Sequence, residues 1–114
     1  MGRFQKGIEE KKEMIFSISQ TPAAENDILD ALRWYALQRP GLDDDFLLSL
    51  EAEISLVKRN PFIYAVLHKQ IRRALIARFP YAIYYLIKEN HIVIIAVVHQ
   101  KRRPAIWKKR KATR

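Results

Sequence analysis

The sequence predicts an α+β fold: an N-terminal strand, then an antiparallel helical hairpin packed on a small antiparallel sheet. Three observations carry this. Apolar residues recur at helical spacing in two segments between Thr21 and Pro61, each with its own start and stop signals. From Ile71 onward the period falls to two, and β-branched and aromatic residues dominate as far as His99. Between Lys88 and His91 stand only Glu89 and Asn90, a length that joins antiparallel strands.

Residues 1–13 are polar and lack any apolar period, so they are expected to form a mobile extension, with Met14 a candidate start codon. Residues 14–100 are read as the single domain and residues 101–114 as a basic tail. A β-like stretch begins at Met14 and alternates through Ile15-Phe16-Ser17-Ile18-Ser19. Thr21-Pro22 then opens a helix, because Thr caps exposed N–H groups and Pro lacks only a donor that the first turn leaves unused. Ala24, Ile28, Leu32 and Tyr35 form its apolar face, and Arg39-Pro40-Gly41 ends it. Asp43, Asp44 and Asp45 suit the positive end of a second helix, whose stripe is Phe46, Leu50, Ile54 and Val57. Lys58-Arg59-Asn60-Pro61 closes that helix. The short linker makes the pair an antiparallel hairpin.

Ile71 to Ala77 reads as a strand with Arg72 and Arg73 on opposite faces. In the next, Phe79 to Lys88, Tyr81, Ile83, Tyr85 and Ile87 share one face. The run Ile92 to Val98 has no polar alternation, so both its faces need cover. The helical hairpin can cover one. The other falls to the chain's own tail, a second copy or a partner, since a bare apolar strand is an aggregation hazard.

Charge is strongly segregated. Residues 1–57 hold six Lys/Arg and eleven Asp/Glu, whereas residues 58–114 hold fifteen Lys/Arg and a single acid, Glu89. Such a basic half points to an anionic partner, whether nucleic acid, membrane or acidic protein. The longest apolar run, seven residues, is far short of the ~20 that span a bilayer. Cysteine is absent, which excludes disulfides and thiol catalysis and suits a reducing cytoplasm.

Classical catalytic patterns are missing. His68, His91 and His99 match no metal-ligand spacing, no glycine-rich phosphate loop occurs, and the serines lie far from every histidine in sequence. No metal or cofactor is expected. What remains is a cationic surface. Arg72, Arg73, Arg78, His99, Lys101, Arg102 and Arg103 can neutralise phosphates, and Tyr81, Tyr84, Tyr85 or Trp107 can stack on a base. Tyrosines on the core-facing side are better read as core. Arginine can also stabilise an in-line transition state while His or Tyr moves the proton, which makes Arg73, Arg78, His99 and Arg102 the candidates for catalysis.

From Met14 onward the chain resembles the RelE/ParE superfamily of bacterial toxins. The resemblance rests on Ala31-Leu32-Arg33-Trp34-Tyr35 with Gln38-Arg39-Pro40-Gly41-Leu42, and on Phe46 through Asn60-Pro61. It continues in Ile71-Arg72-Arg73-Ala74-Leu75, Arg78 through Tyr85, and Val97-Val98-His99-Gln100-Lys101-Arg102-Arg103-Pro104. It implies a helical hairpin on a small antiparallel sheet and the toxic half of a type II toxin–antitoxin pair. RelE-like members cut messenger RNA on the ribosome, and ParE-like members inhibit DNA gyrase. In the nucleases an arginine stands where Tyr81 stands here, and a catalytic Tyr or His follows the last strand, where this chain has Gln100-Lys101-Arg102. The His99-x-x-Arg102 pattern suits the ParE-like branch. The resemblance thus implies a cytoplasmic gyrase inhibitor held by an acidic antitoxin in a hetero-oligomer, with no membrane partner. An mRNA interferase and a degenerate, non-toxic antitoxin-binding member are the alternatives. The implied target-binding set is Arg72, Arg73, Arg78, His99, Lys101, Arg102, Arg103 and Trp107.

Overall fold

The computed structural model describes residues 16–102 and 105–112. The expectations for residues 1–13, Met14 and Arg103 lie outside the described residues. The elements run β1 (Ser17–Gln20), α1 (Pro22–Gln38), α2 (Leu42–Arg59), β2 (Val66–His68), β3 (Ile71–Leu75), β4 (Tyr81–Lys88) and β5 (His91–His99). Short 3₁₀ turns occupy Pro61–Ile63 and Ile106–Lys109.

Both helices begin as the sequence dictates. The Thr21 hydroxyl accepts a 3.2 Å hydrogen bond from the Ala24 N–H, with Pro22 in the first turn. Gly41 turns the chain between the helices at φ 87°, a left-handed conformation that costs a residue with a Cβ about 1–2 kcal/mol. Asp43, Asp44 and Asp45 fill the first turn of α2, and Lys58 and Arg59 its last.

The sheet order is β1-β5-β4-β3-β2. Strands β3 to β5 are antiparallel neighbours, as expected, and β2 adds an antiparallel edge that was not expected, but β1 joins β5 in parallel, so the sheet is mixed. The short β2 strand has no period-two run long enough to announce it in sequence.

Two apolar layers sandwich the sheet. On the helical side, Ala24, Ile28, Tyr35, Phe46, Leu50 and Val57 pack on Ile83, Tyr85, Ile92, Ile94 and Val97. An aromatic cluster of Tyr35, Phe46, Phe79 and Tyr81, with ring centroids 5.1–5.8 Å apart, closes one end. On the opposite side lie Ile71, Ala82, Tyr84, Val93, Ile95, Ala96 and Val98. The β4–β5 register skips Ile95, a bulge that turns Ile95 and Ala96 to the same face. Among the three coverings left open for that second face, the described residues supply the tail: Trp107 is buried and stacks on Tyr84 at 4.6 Å and 12°.

Arg110 holds the tail in place. Strand β1 ends at Gln20, paired with Ile94, so β5 has no strand neighbour on that side beyond this point. There the buried Asp27 carboxylate of α1 accepts from the Val97 N–H at 3.0 Å. Arg110 forms a two-pronged ion pair with the same carboxylate and donates to the Ile95 carbonyl at 3.1 Å. Two side chains thus satisfy backbone groups that a longer β1 would have paired.

Candidate functional site

The end of β5, the turn that follows it and α1 enclose a cleft of ≈270 Å³. Asp30 and Trp34 of α1, Tyr81 of β4, and His99 and Arg102 face it. The Arg102 guanidinium lies 4.8 Å above the Trp34 ring, a cation–π contact that fixes a long, exposed side chain across the cleft mouth. The His99 and Tyr81 rings meet edge to face, with centroids 5.4 Å apart.

His99 is a folding element as well as a wall of the cleft. Its Nδ1 accepts from the backbone N–H groups of Lys101 (3.0 Å) and Arg102 (3.3 Å). A nitrogen that accepts two hydrogen bonds carries no proton, so this turn selects the neutral ring with its hydrogen on Nε2. Burial, followed by the charges of Arg102 and Lys101, lowers the imidazole pKa from its ordinary 6.5. The three effects act together, and each disfavours imidazolium.

The remaining candidate residues are dispersed. Arg72 is spent internally: Nη1 donates to the carbonyls of Phe62 (3.2 Å) and Tyr64 (2.6 Å), and the guanidinium lies 5.3 Å over the Phe62 ring. Arg73 pairs with Tyr84 in the register and so shares the tail-covered face, opposite Arg72 as the alternation requires. Arg78 sits exposed in a turn at φ 70° and contacts the Ser49 hydroxyl at 3.4 Å. Lys101 is exposed beside the cleft. Trp107 and all three tyrosines, Tyr81, Tyr84 and Tyr85, are buried and present no open face to a base. Among the described candidate residues, His99, Arg102 and the buried Tyr81 meet at one cleft.

Sequence reasoning missed Trp34, whose partner arrives from the far end of the chain, and the Asp27–Arg110 pair. It also set the serines apart from the histidines. In the fold, Ser17 Oγ lies 2.6 Å from His91 Nδ1 and Ser19 Oγ 2.7 Å from His91 Nε2. With a serine at each ring nitrogen, His91 works as a clasp between β1 and β5. Alternation on β1 puts both serines on the face of His91, but only the parallel register reveals it. Among the described residues, no group of three or more His, Asp or Glu could hold a metal ion. Among the same residues, no helix is long and apolar enough to cross a membrane.

Comparison with known proteins adds the family. No curated protein matches the chain in sequence. Among solved structures, a chain from the chromosomal ParDE TA system of P. aeruginosa superposes with a TM-score of 0.67 at 14% identity. The match covers 75% of this chain and 97% of that one, and at such low identity it establishes a shared fold. The family model for the ParE toxin of the type II toxin–antitoxin system parDE matches residues 18–104, from β1 through the turn that carries Arg102. The chain therefore belongs to the ParE toxin family of type II toxin–antitoxin systems.

Proposed function

We propose that this chain arrests growth by occupying a surface of DNA gyrase, without catalysing a reaction, and that an acidic antitoxin neutralises it in the cytoplasm. The observation that carries the reading is the dispersal of the cations. Hydrolysis of a phosphodiester needs charge and a proton-transfer group within a few ångströms of one scissile phosphate. Here Arg72 is tied to carbonyls, Arg73 lies on the opposite face, Arg78 lies in a separate turn, and among the described cationic candidates only Arg102 lines the cleft of His99. Tyr81, at the place that the nucleases give to an arginine, is instead packed among Tyr35 and Phe46. Neutral His99 spends Nδ1 on the turn. Such a surface favours binding over acid–base chemistry. The exposed ring of Trp34 beneath Arg102 supplies the paired aromatic and arginine anchors that concentrate binding energy at protein interfaces.

Inducible expression tests this. Growth should stop, purified protein should inhibit gyrase supercoiling, and Trp34→Ala and Arg102→Ala should each weaken inhibition about tenfold, with the double variant weaker still. Ribosome-stimulated mRNA cleavage by the wild type, abolished by one substitution that leaves antitoxin binding intact, would establish the nuclease instead. A chain that binds antitoxin but neither arrests growth nor cleaves RNA would be the non-toxic member.

A further inference from the structure

A second concavity lies on the other side of the sheet, away from the His99 cleft. It encloses ≈690 Å³ between the β2–β3 turn, the end of β4 and the docked tail. Its rim carries Lys69, Lys88, Lys108, Lys109 and Lys111, all exposed. Among the described residues no carboxylate lines it, and none of the five lysines is ion-paired. Glu89 follows Lys88 in the β4–β5 turn but stays outside the lining. Apolar surface is scant, since Ile71 is buried and only half-buried Leu86 and Ala112 add to it. Arg110 also borders the concavity, but its guanidinium is turned to Asp27. Lys69 stands at φ 52°, a left-handed conformation that glycine or asparagine adopts more readily. A cation thus occupies a turn position where local backbone chemistry favours another residue.

We propose that this face binds duplex DNA through its phosphates, independently of sequence. The inference goes beyond the gyrase reading and does not depend on it. Five like charges around one concavity repel one another, and a polyanion laid across them turns that repulsion into attraction. Lysine is a point charge without arginine's planar fork, so it neutralises phosphates without selecting base edges. The cations stand on three separate segments, which suits successive phosphates of a backbone rather than a single anion. Gln70 is the one uncharged polar side chain in the lining. That is too little to orient a small molecule, whose sites set several convergent polar groups against broad apolar walls. Single strands need aromatic platforms, and Trp107 is buried against Tyr84 with the Lys108 ammonium 5.8 Å from its ring. A duplex needs none, because its bases stack on one another. Three of the five lysines belong to the tail, so the site exists only while Trp107 and Arg110 hold the tail on the sheet.

Fluorescence anisotropy with the full chain tests the proposal. The probes are a labelled duplex of about 20 base pairs, a single strand of equal length, and phosphatidylglycerol vesicles as competitor. The logarithm of Kd should rise linearly with the logarithm of KCl concentration, with a slope of about 4–5 from five neutralised phosphates. Lys88→Gln with Lys109→Gln should lower that slope by about 2 and weaken binding about tenfold at low salt. Lys69→Gln with Lys111→Gln should do the same, whereas Lys58→Gln with Arg59→Gln at the end of α2 should change neither. Two duplexes of unrelated sequence should bind within about twofold of each other, and the single strand about fivefold more weakly. Bound duplex should also shield the rim lysines of the wild type, and not Lys58, from acetylation read by mass spectrometry, a readout that needs no variant. Tighter binding of the single strand would overturn the proposal. So would lysine pairs that alter neither Kd nor slope, or vesicles that shield the rim while duplex leaves it open to acetylation. The binding assay contains no gyrase. A chain that inhibits supercoiling but ignores free duplex therefore refutes this site alone, and one that binds duplex through the rim but leaves supercoiling untouched refutes the gyrase reading alone.

Discussion

Removing Arg110 should detach the tail from the sheet. In Arg110→Ala, Asp27 loses both prongs of its ion pair and the Ile95 carbonyl loses its donor, while the Val97 N–H still serves the carboxylate. Truncating one partner of a fully buried pair costs about 3–5 kcal/mol, and of an exposed pair about 0–1. The Asp27 side chain is 4% exposed and that of Arg110 16%, so the site lies near the buried limit but water can enter where the guanidinium was. The expected loss is therefore about 2–3 kcal/mol, which for a domain of this size lowers the thermal midpoint by roughly 10 °C. Urea titration of wild type, Asp27→Ala, Arg110→Ala and the double variant measures it, with Lys111→Ala as the control for tail charge. The double variant should lose clearly less than the sum of the singles, because one interaction is removed twice. Emission of Trp107 should shift toward that of a hydrated indole in Arg110→Ala. A loss below about 0.5 kcal/mol, or additive singles, would show that Trp107 stacking alone holds the tail and that the pair is incidental.

Three further outcomes follow from local geometry. Because folding lowers the His99 pKa, the unfolded chain binds the proton more readily. The stability contributed by the turn is complete above pH 6.5 and declines as pH falls below it. His99→Asn, whose Oδ1 can accept the same two N–H bonds, should flatten that decline in thermal melts taken at several pH values. At the alkaline end, burial and the 2.7 Å hydrogen bond to Glu53 push Tyr64 up to about 12, and burial raises Tyr85 as well, so stability present below pH 10 should be lost as pH rises through about 12. Ultraviolet titration should show these two phenols ionising with unfolding, and Tyr85→Phe should cost about 1–2 kcal/mol through the unpaired Pro61 carbonyl. Finally, Gly41→Ala should destabilise by about 1 kcal/mol in urea unfolding, entirely from the left-handed backbone, since a Cβ there meets nothing within 4 Å.

The sequence by itself determined the local elements. Thr21-Pro22 and the three aspartates of residues 43–45 start the helices, Gly41 turns between them, and the alternation in β3 and β4 sets their faces. These are legible because capping, left-handed turns and side-chain periods depend on neighbours a few residues apart. The unalternating run of β5 also announced that both sheet faces would be covered. It could not say by what, since apolarity is non-directional and the tail, a second copy and a partner satisfy it equally. Tertiary structure decided for the tail, through Trp107 on Tyr84 and Arg110 on Asp27, a pair 83 residues apart. It likewise decided the parallel seat of β1, the clasp of His91 by Ser17 and Ser19, and the meeting of Trp34 with Arg102. Each of these joins residues whose separation exceeds any local period, so only the geometry of the closed sheet and the packed hairpin selects them. Among the described residues, that same geometry scattered the cationic candidates that sequence had placed in one basic half, leaving Arg102 with His99 at a single cleft.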